Sequence, residues 1–372
     1  MAAGSSPRSL QSAHTVTDFY EIDFLPVASN RSGDAITLRY RIDGRASIHV
    51  VDGGFQSTGE SVVQHINRYY DNPYFIDHVV ATHPDGDHAG GLRTVIESFE
   101  IGTLWLYRPW LYAEALLPYF PRFRSLDGLA RRLREIYPNI SALEEIALER
   151  GIFMREPRQG AMIGAFNVTS PDIGNYLYQV IESEKTPESN GLAQARARSD
   201  LFAGLAGVVN AVRTAWGVEV FSPEETSAEN EMSVVQYARL CGDPILLTGD
   251  AGRLSLGHTF QYLTVNEVEV PRLTVFQIPH HGSRRNLSSE ILDGLLGPRR
   301  AQPGMELTGL AVVSALIGDP DHPRKAVIRG CIHRGFKVLT TGANTVCVHN
   351  GGPARGWAIA PGAEYPPDQE NA

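Results

Sequence analysis

Apolar positions change period several times along the chain. "TVTDFYEIDFLPV" and "DAITLRYRI" alternate, and "SIHVVDGG" is an apolar run that ends in a glycine turn, so all three predict strands. "ESVVQHINRYY" then reads as a helix, and "IDHVVATH" is a short β-branched run of the kind found in buried strands. After it, Leu92, Val95, Ile96 and Phe99 fall at helical spacing, so a loop of polar residues lies between a strand and a helix. "IGTLWLYRP" is the next strand. From about residue 110 to 152 the pattern is helical, clearest in "LDGLARRLREIY" and "SALEEIALERGI". "AFNVTSPD" reads as a strand end. Residues 174–228 are less regular, with the polar "ESEKTPESNGLAQARARSD" followed by a helical "LFAGLAGVVNAVRTAW". Strands return in "EMSVVQYARL", "DPILLTGD", "LTVFQIPHHGS" and "GLAVVSALIG", followed by a helix around "PRKAVIRGCIHRG" and the strands "FKVLTTG" and "TVCVHN". No internal repeat is visible.

This order predicts a layered α/β fold with sheets inside and helices outside. Residues 1–15 are expected to be a disordered leader and 361–372 a loose tail. Between them, residues 16–360 form a single domain with insertions at about 106–155 and 174–228. At 372 residues, with 42% hydrophobic and 20% charged, the chain can bury a large core. No apolar run approaches the roughly 18 residues of a membrane span, and the N-terminus lacks a signal-peptide apolar region, so a cytoplasmic protein is expected. Cys241, Cys331 and Cys347 are sparse and form no CxxC pair, which argues against a disulfide framework or a thiolate zinc site. The net charge of −9 argues against a protein that coats duplex DNA through a general basic surface.

The chemistry concentrates at strand ends. "ATHPDGDHAGG" packs His83, Asp85, Asp87 and His88 into six residues. A capped turn needs one aspartate but not two histidines. "LLTGD" ends a strand with Asp250, and "IPHHGS" ends another with His280 and His281. If these strands are neighbours, their ends meet at one sheet edge and gather metal ligands there.

"THPDGDHAGG", "LLTGD" and "PHHGS" together resemble the motifs of the metallo-β-lactamase fold superfamily, and more narrowly those of the soluble hydrolase domain of ComEC-type competence proteins. That branch carries HxDxDH where most of the superfamily carries HxHxDH, and the second position here is Asp85. The GDA turn at Gly33–Ala35, "VVDGG" with Asp52, "SAENEMSVV" with Asn230 and Ser233, and "DPDHP" with His322 and Pro323 agree with the branch. The likeness runs from about Asp18 to Asn350, apart from the insertions. It implies a four-layer αββα fold and a centre of two divalent ions, manganese or zinc with magnesium third. The usual third-motif histidine has no counterpart, since "AFNVTSPD" offers Ser170 and Asp172 instead, and the competence family's membrane segments have no trace.

The resemblance also implies roles. His83 and Asp85 would hold one ion, Asp87, His88 and His281 the other, and Asp250 would bridge them. His281 is preferred to His280 for its His-x-Ser context, leaving His280 facing substrate. Asp87, His280 and His322 are the candidate catalytic residues, His322 as proton donor to the leaving group, and Asp52 would orient a ligand loop. Ser283, Arg284, Arg285 and Asn230 are candidate substrate contacts. Three carboxylates contribute about −3 against about +4 from two divalent ions, so the centre suits an anionic substrate. A phosphodiester hydrolase, a nuclease on DNA or nucleotides, is therefore expected. The alternatives are an acyl hydrolase of lactonase, thioesterase or β-lactamase type, and a catalytically weakened binding or regulatory module in a defence system. The aromatic group Trp105, Tyr107, Trp110 and Tyr112 could stack bases or belong to the core.

Overall fold

The computed structural model describes residues 17–27, 31–186, 189, 214–266, 272–304 and 306–370. The expected leader and the helical piece at about 201–216 therefore lie wholly or largely outside the described residues.

Two mixed sheets are built from the two halves of the chain. The first contains β1 (Phe19–Phe24), β2 (Ala35–Ile42), β3 (Arg45–Gly53), β4 (Phe75–Val80), β5 (Glu100–Trp105) and β6 (Met154–Arg155). The second contains β7 (Met162–Ile163), β8 (Phe166–Ser170), β9 (Val235–Leu240), β10 (Asp243–Leu247), β11 (Val275–Gln277), β12 (Gly309–Val313) and β13 (Phe336–Thr340), and β14 (Val346–Asn350) returns to the first. The orders are β14-β1-β2-β3-β4-β5-β6 and β13-β12-β11-β10-β9-β8-β7. Hairpin-linked strands are antiparallel, whereas β3-β4-β5-β6 and β10-β11-β12-β13 are parallel. Parallel neighbours need crossovers, and helices at Gly59–Tyr69, Leu92–Ser98, Arg253–Asn266, Ser289–Leu296 and Lys325–His333 supply them. The helices Leu126–Ile136 and Pro138–Arg150 fill the expected first insertion.

Strand periodicity sorts the core into layers. On β10, Ile245 and Leu247 pack between the sheets, while Leu246 turns to the outer helices beside Leu256, Leu263 and Leu292. On β11, Val275 faces inward and Phe276 outward. The result is helix, sheet, sheet, helix: the α/β four-layer architecture of the metallo-β-lactamase fold. Trp105, Tyr107 and Trp110 are core residues, so three of the four rings are not available to stack bases.

Two regions differ from the pattern in the sequence. Alternation in β1 suggests a half-exposed strand, yet every residue from Phe19 to Phe24 is buried. Arg355 explains this: it pairs with Glu21 at 2.6 Å and Asp23 at 2.8 Å, while Arg39 meets Glu21 from the neighbouring strand at 2.6 Å. The expected loose tail is tied down as far as the described residues go. Ala363 N donates to Val338 O, Gln369 Oε1 accepts from Val220 N at 2.9 Å, and Glu370 accepts from Lys325 N at 2.7 Å at a helix start.

Two glycine pairs lock β3 against the loop that follows β4. Gly91 N donates to Gly54 O at 2.9 Å, and a Cβ on Gly91 would overlap the carbonyl oxygen of Gly53. Gly91→Ala is therefore expected to lower stability by about 1–3 kcal/mol, as overpacking does. Urea unfolding checks it, and an unchanged midpoint would show that the loop can part from the strand at no cost.

Candidate metal centre

Parallel strands deliver their ends to the same edge. Asp52 ends β3, residues 82–88 follow β4, Asp250 follows β10, His280 and His281 follow β11, and Ser314 follows β12. Asp34 precedes β2, which runs antiparallel to β3, so it joins them. Segments far apart in sequence thus meet above the seam between the two sheets.

Hydrogen bonds fix the histidine tautomers. His88 Nδ1 lies 2.8 Å from Asp52 Oδ2 and donates to it. The Thr82 hydroxyl also donates to Asp52, at 2.6 Å, which leaves its lone pairs to accept from His83 Nδ1 at 3.0 Å. His281 Nδ1 donates to Ser314 O at 2.9 Å. In all three rings Nδ1 carries the hydrogen, so Nε2 can present a lone pair. These Nε2 atoms, Asp250 Oδ1 and Asp34 Oδ1 are all buried with no hydrogen-bond partner. One such orphan costs about 1–3 kcal/mol, and five at one place are the mark of a ligand set.

The carboxylates stand among them. His88 Nε2 is 3.3 Å from Asp250 Oδ1, and His83, His280 and His281 place Nε2 at 3.9, 3.9 and 4.0 Å from Asp250 Oδ2. His281 Nε2 is 3.6 Å from Asp87 Oδ2, and His83 Nε2 is 3.9 Å from Asp85 Oδ2. Asp87, His88 and His281 offer ligand atoms within 4.8 Å of one another, as do Asp34, His88 and Asp250, and Asp52, His83 and His88. Burial opposes charge on His88, but Asp250 and Asp52 outweigh it and raise its pKa well above the usual value. Burial is likewise overcome at His281 by Asp250 and Asp87, which push it up to about 9. At Asp250 burial is outweighed by His88, His280 and His281, which hold the carboxyl well below its range. Without an ion the carboxylates thus keep protons on these imidazoles, and a cation binding at Nε2 would release them. Nitrogen and carboxylate donors in this mixture suit manganese or zinc.

Other expected residues are placed as follows. His280 is partly exposed, and its Nδ1 lies 2.9 Å from Asn286 Oδ1; the Asn286 amide donates to Asp250 O at 2.8 Å. Buried Asn230 contacts His280 Nδ1 at 3.0 Å and Thr226 at 2.7 Å, and so faces the histidine. The His322 ring lies 5.6 Å from that of His280; burial and the neighbouring His281 and His280 push it down to about 4, so it stands neutral. Ser283 accepts from Arg285 N within its own turn. Arg284 donates to Val220 O and Arg285 pairs with Glu224, so both guanidinium groups turn toward the 219–225 segment. Asp172 caps the helix Ile173–Glu182, while Ser170 Oγ is buried without a partner.

Sequence reasoning missed Asp34, Thr82, Asn286 and Lys185. The GDA turn flagged Asp34's neighbourhood without its role, and Asn286 follows the "SRR" run. Lys185, inside the polar insertion, pairs with Asp85 and carries no motif signal. Asp52→Asn is expected to weaken metal binding about 10–100-fold with circular dichroism unchanged, because an amide NH₂ facing Nδ1 favours the wrong tautomer. A manganese or zinc titration checks this; unaltered affinity would show that Asp52 does not set the rings.

Comparison with known proteins places this geometry in a wider group. A family model described as the metallo-beta-lactamase superfamily matches residues 40–164, which include β4 and the whole 83–88 loop. No curated protein matches the chain. Among solved structures, a variant of the CmlA beta-hydroxylase is 11% identical with a TM-score of 0.41, covering 90% of this chain and 54% of its own. The chain thus spans about half the length of that hydroxylase. A beta-lactamase domain protein from Burkholderia ambifaria is 15% identical with a TM-score of 0.30, over 71% of this chain and 68% of its own. The chain is thus similar to the metallo-β-lactamase superfamily across the ligand loop, and its two mixed sheets flanked by helices are consistent with that fold.

Proposed function

We propose that the protein is a metal-dependent phosphodiester hydrolase acting on a nucleic acid or nucleotide. The observation that carries the metal dependence is the convergence of three bare Nε2 atoms on Asp250, with Asp87 beside them. His88, His281, Asp87 and Asp250 would hold a divalent ion, with His83 and Asp85 beside them. When bound, the ion supplies Lewis acidity, making water a nucleophile near neutral pH and screening charge on the substrate.

The chain's own residues supply the rest. Asp52 and Ser314 keep the ligand rings oriented, and the buried walls exclude bulk water. His280 and His322 form a partly exposed imidazole pair at the rim, where the neutral His322 would relay a proton from solvent toward a departing oxygen. Carboxylate-rich donors and the ComEC-like HxDxDH spacing favour a phosphodiester over an ester. The engagement of Arg284 and Arg285 elsewhere favours the second reading, an acyl hydrolase, because it removes two expected phosphate contacts.

Hydrolysis of bis-p-nitrophenyl phosphate and of single- and double-stranded DNA with added manganese, set against p-nitrophenyl esters and lactones, separates the readings. Diester cleavage is expected, with loss on chelation and recovery on readdition of metal. Asp87→Ala and Asp250→Ala should abolish it, and near-normal turnover in either would overturn the assignment. His322→Ala should slow turnover about 10²-fold or more with metal content unchanged. Ester cleavage alone would select the acyl hydrolase, and a folded protein that binds no metal would select a binding module.

A further inference from the structure

The two halves of the centre are unequal. On one side the buried His88, His281 and Asp250 and the half-buried Asp87 gather around one position. On the other side stand His83 Nε2 and Asp85 Oδ2, 3.9 Å apart, with Asp250 shared. Among the described residues no third histidine, cysteine or carboxylate brings a ligand atom within 4.8 Å of both His83 and Asp85. Asp172, from the segment where one would come, is committed to Gly174 N and Asn175 N at 2.8 and 3.1 Å.

A cation of the protein is already there. The Lys185 ammonium pairs with Asp85 Oδ1, the outer oxygen of the carboxylate whose other oxygen faces His83. The backbone that presents it is held firmly. Ser183 Oγ bonds to buried Glu229 and accepts from Lys185 N at 3.0 Å. Thr186 Oγ1 donates to Val180 O at 2.7 Å, Ser189 to Ile181 O, and Ser183 and Thr186 are fully buried. Glu184 and Lys185 are the exposed side chains of this anchored turn, and Lys185 reaches to the site.

Charge closes on the same answer. One divalent ion is balanced by Asp87 and Asp250, and Lys185 balances Asp85. A second divalent ion would meet an ammonium on its only private carboxylate, and the like charges would repel. We propose that Lys185 takes the place of a second metal ion, so that the protein works with one tightly held ion and a built-in ammonium. This rests on the metal-centre reading above and replaces the pair of ions that the motif resemblance implies.

The test is metal stoichiometry, read without substrate. Purified full-length protein is stripped with chelator, equilibrated with excess manganese or zinc, desalted and assayed by elemental analysis, with calorimetric titration alongside. One ion per chain is expected for wild type and Lys185→Arg, and two for Lys185→Met, where Asp85 loses its counter-charge. Lys185 is about half exposed, so its replacement should leave the fold intact, as circular dichroism will show. Two ions in wild type, or one ion in both wild type and Lys185→Met, would overturn the proposal while leaving hydrolysis untouched. No ion in any variant would overturn it together with the metal-dependent function.

Discussion

The carboxylate of Asp52 governs the rest of the centre. It takes the Nδ1 hydrogen of His88 directly and that of His83 through the Thr82 hydroxyl, so one buried anion turns two lone pairs toward the same point. It also accepts from Thr82 N at 2.9 Å, pinning the loop that carries both rings. The residue has a left-handed backbone, φ 58°, at the end of β3, and Gly53 and Gly54 after it allow the ligand loop to close against the strand. A sheet end, a loop and a pair of tautomers are thereby one mechanical unit. Loss of any part lets the others relax.

The second sheet completes the centre by the same logic. Asp250 is held through its backbone by Ser233 and Asn286, and Asn286 in turn orients His280. Gln277, inside the seam, accepts from Thr248 N and donates to Asp34 Oδ2 at 3.1 Å, joining the two halves of the chain beneath the site. The ligands therefore sit on a scaffold whose polar groups are mutually satisfied, and the unsatisfied atoms of that scaffold are concentrated where an ion would lie. Satisfied support around an unsatisfied focus is what preorganisation means at a metal site.

Much of this was legible in the sequence because the chemistry lies on strand ends, and strand ends are marked by abrupt changes of period. The apolar run into His83, "LLTGD" and "PHHGS" each announce a β-strand that stops at a ligand. The unread parts are contacts that pattern does not encode. Burial of β1 depends on Arg355, more than three hundred positions away, which cancels Glu21 and Asp23. Asp34 looked like a turn residue until antiparallel pairing put it beside Gly53. The guanidinium groups of Arg284 and Arg285 were close to the ligands in sequence, but the chain turns at Ser283 and aims them away. Lys185 sits in a polar stretch with no periodicity, where proximity to Asp85 exists only in three dimensions.

These cases separate what the shared architecture decides from what this chain adds. Loops between parallel strands return to one edge whatever their sequence, so the ligand set follows from topology once the strand-end residues are in place. The segment around Lys185 is not imposed by that topology. It hangs from the helix Ile173–Glu182 and is tied by Ser183, Thr186 and Ser189 to neighbouring carbonyls and to Glu229. From it Lys185 pairs with Asp85, beside His83. A fold that keeps its ligand-bearing edge constant can thus vary the charge beside that edge through a turn outside the ligand loops. The distinctive chemistry of this protein should therefore be sought in that turn and the walls beside it, more than in the motifs that reveal its fold.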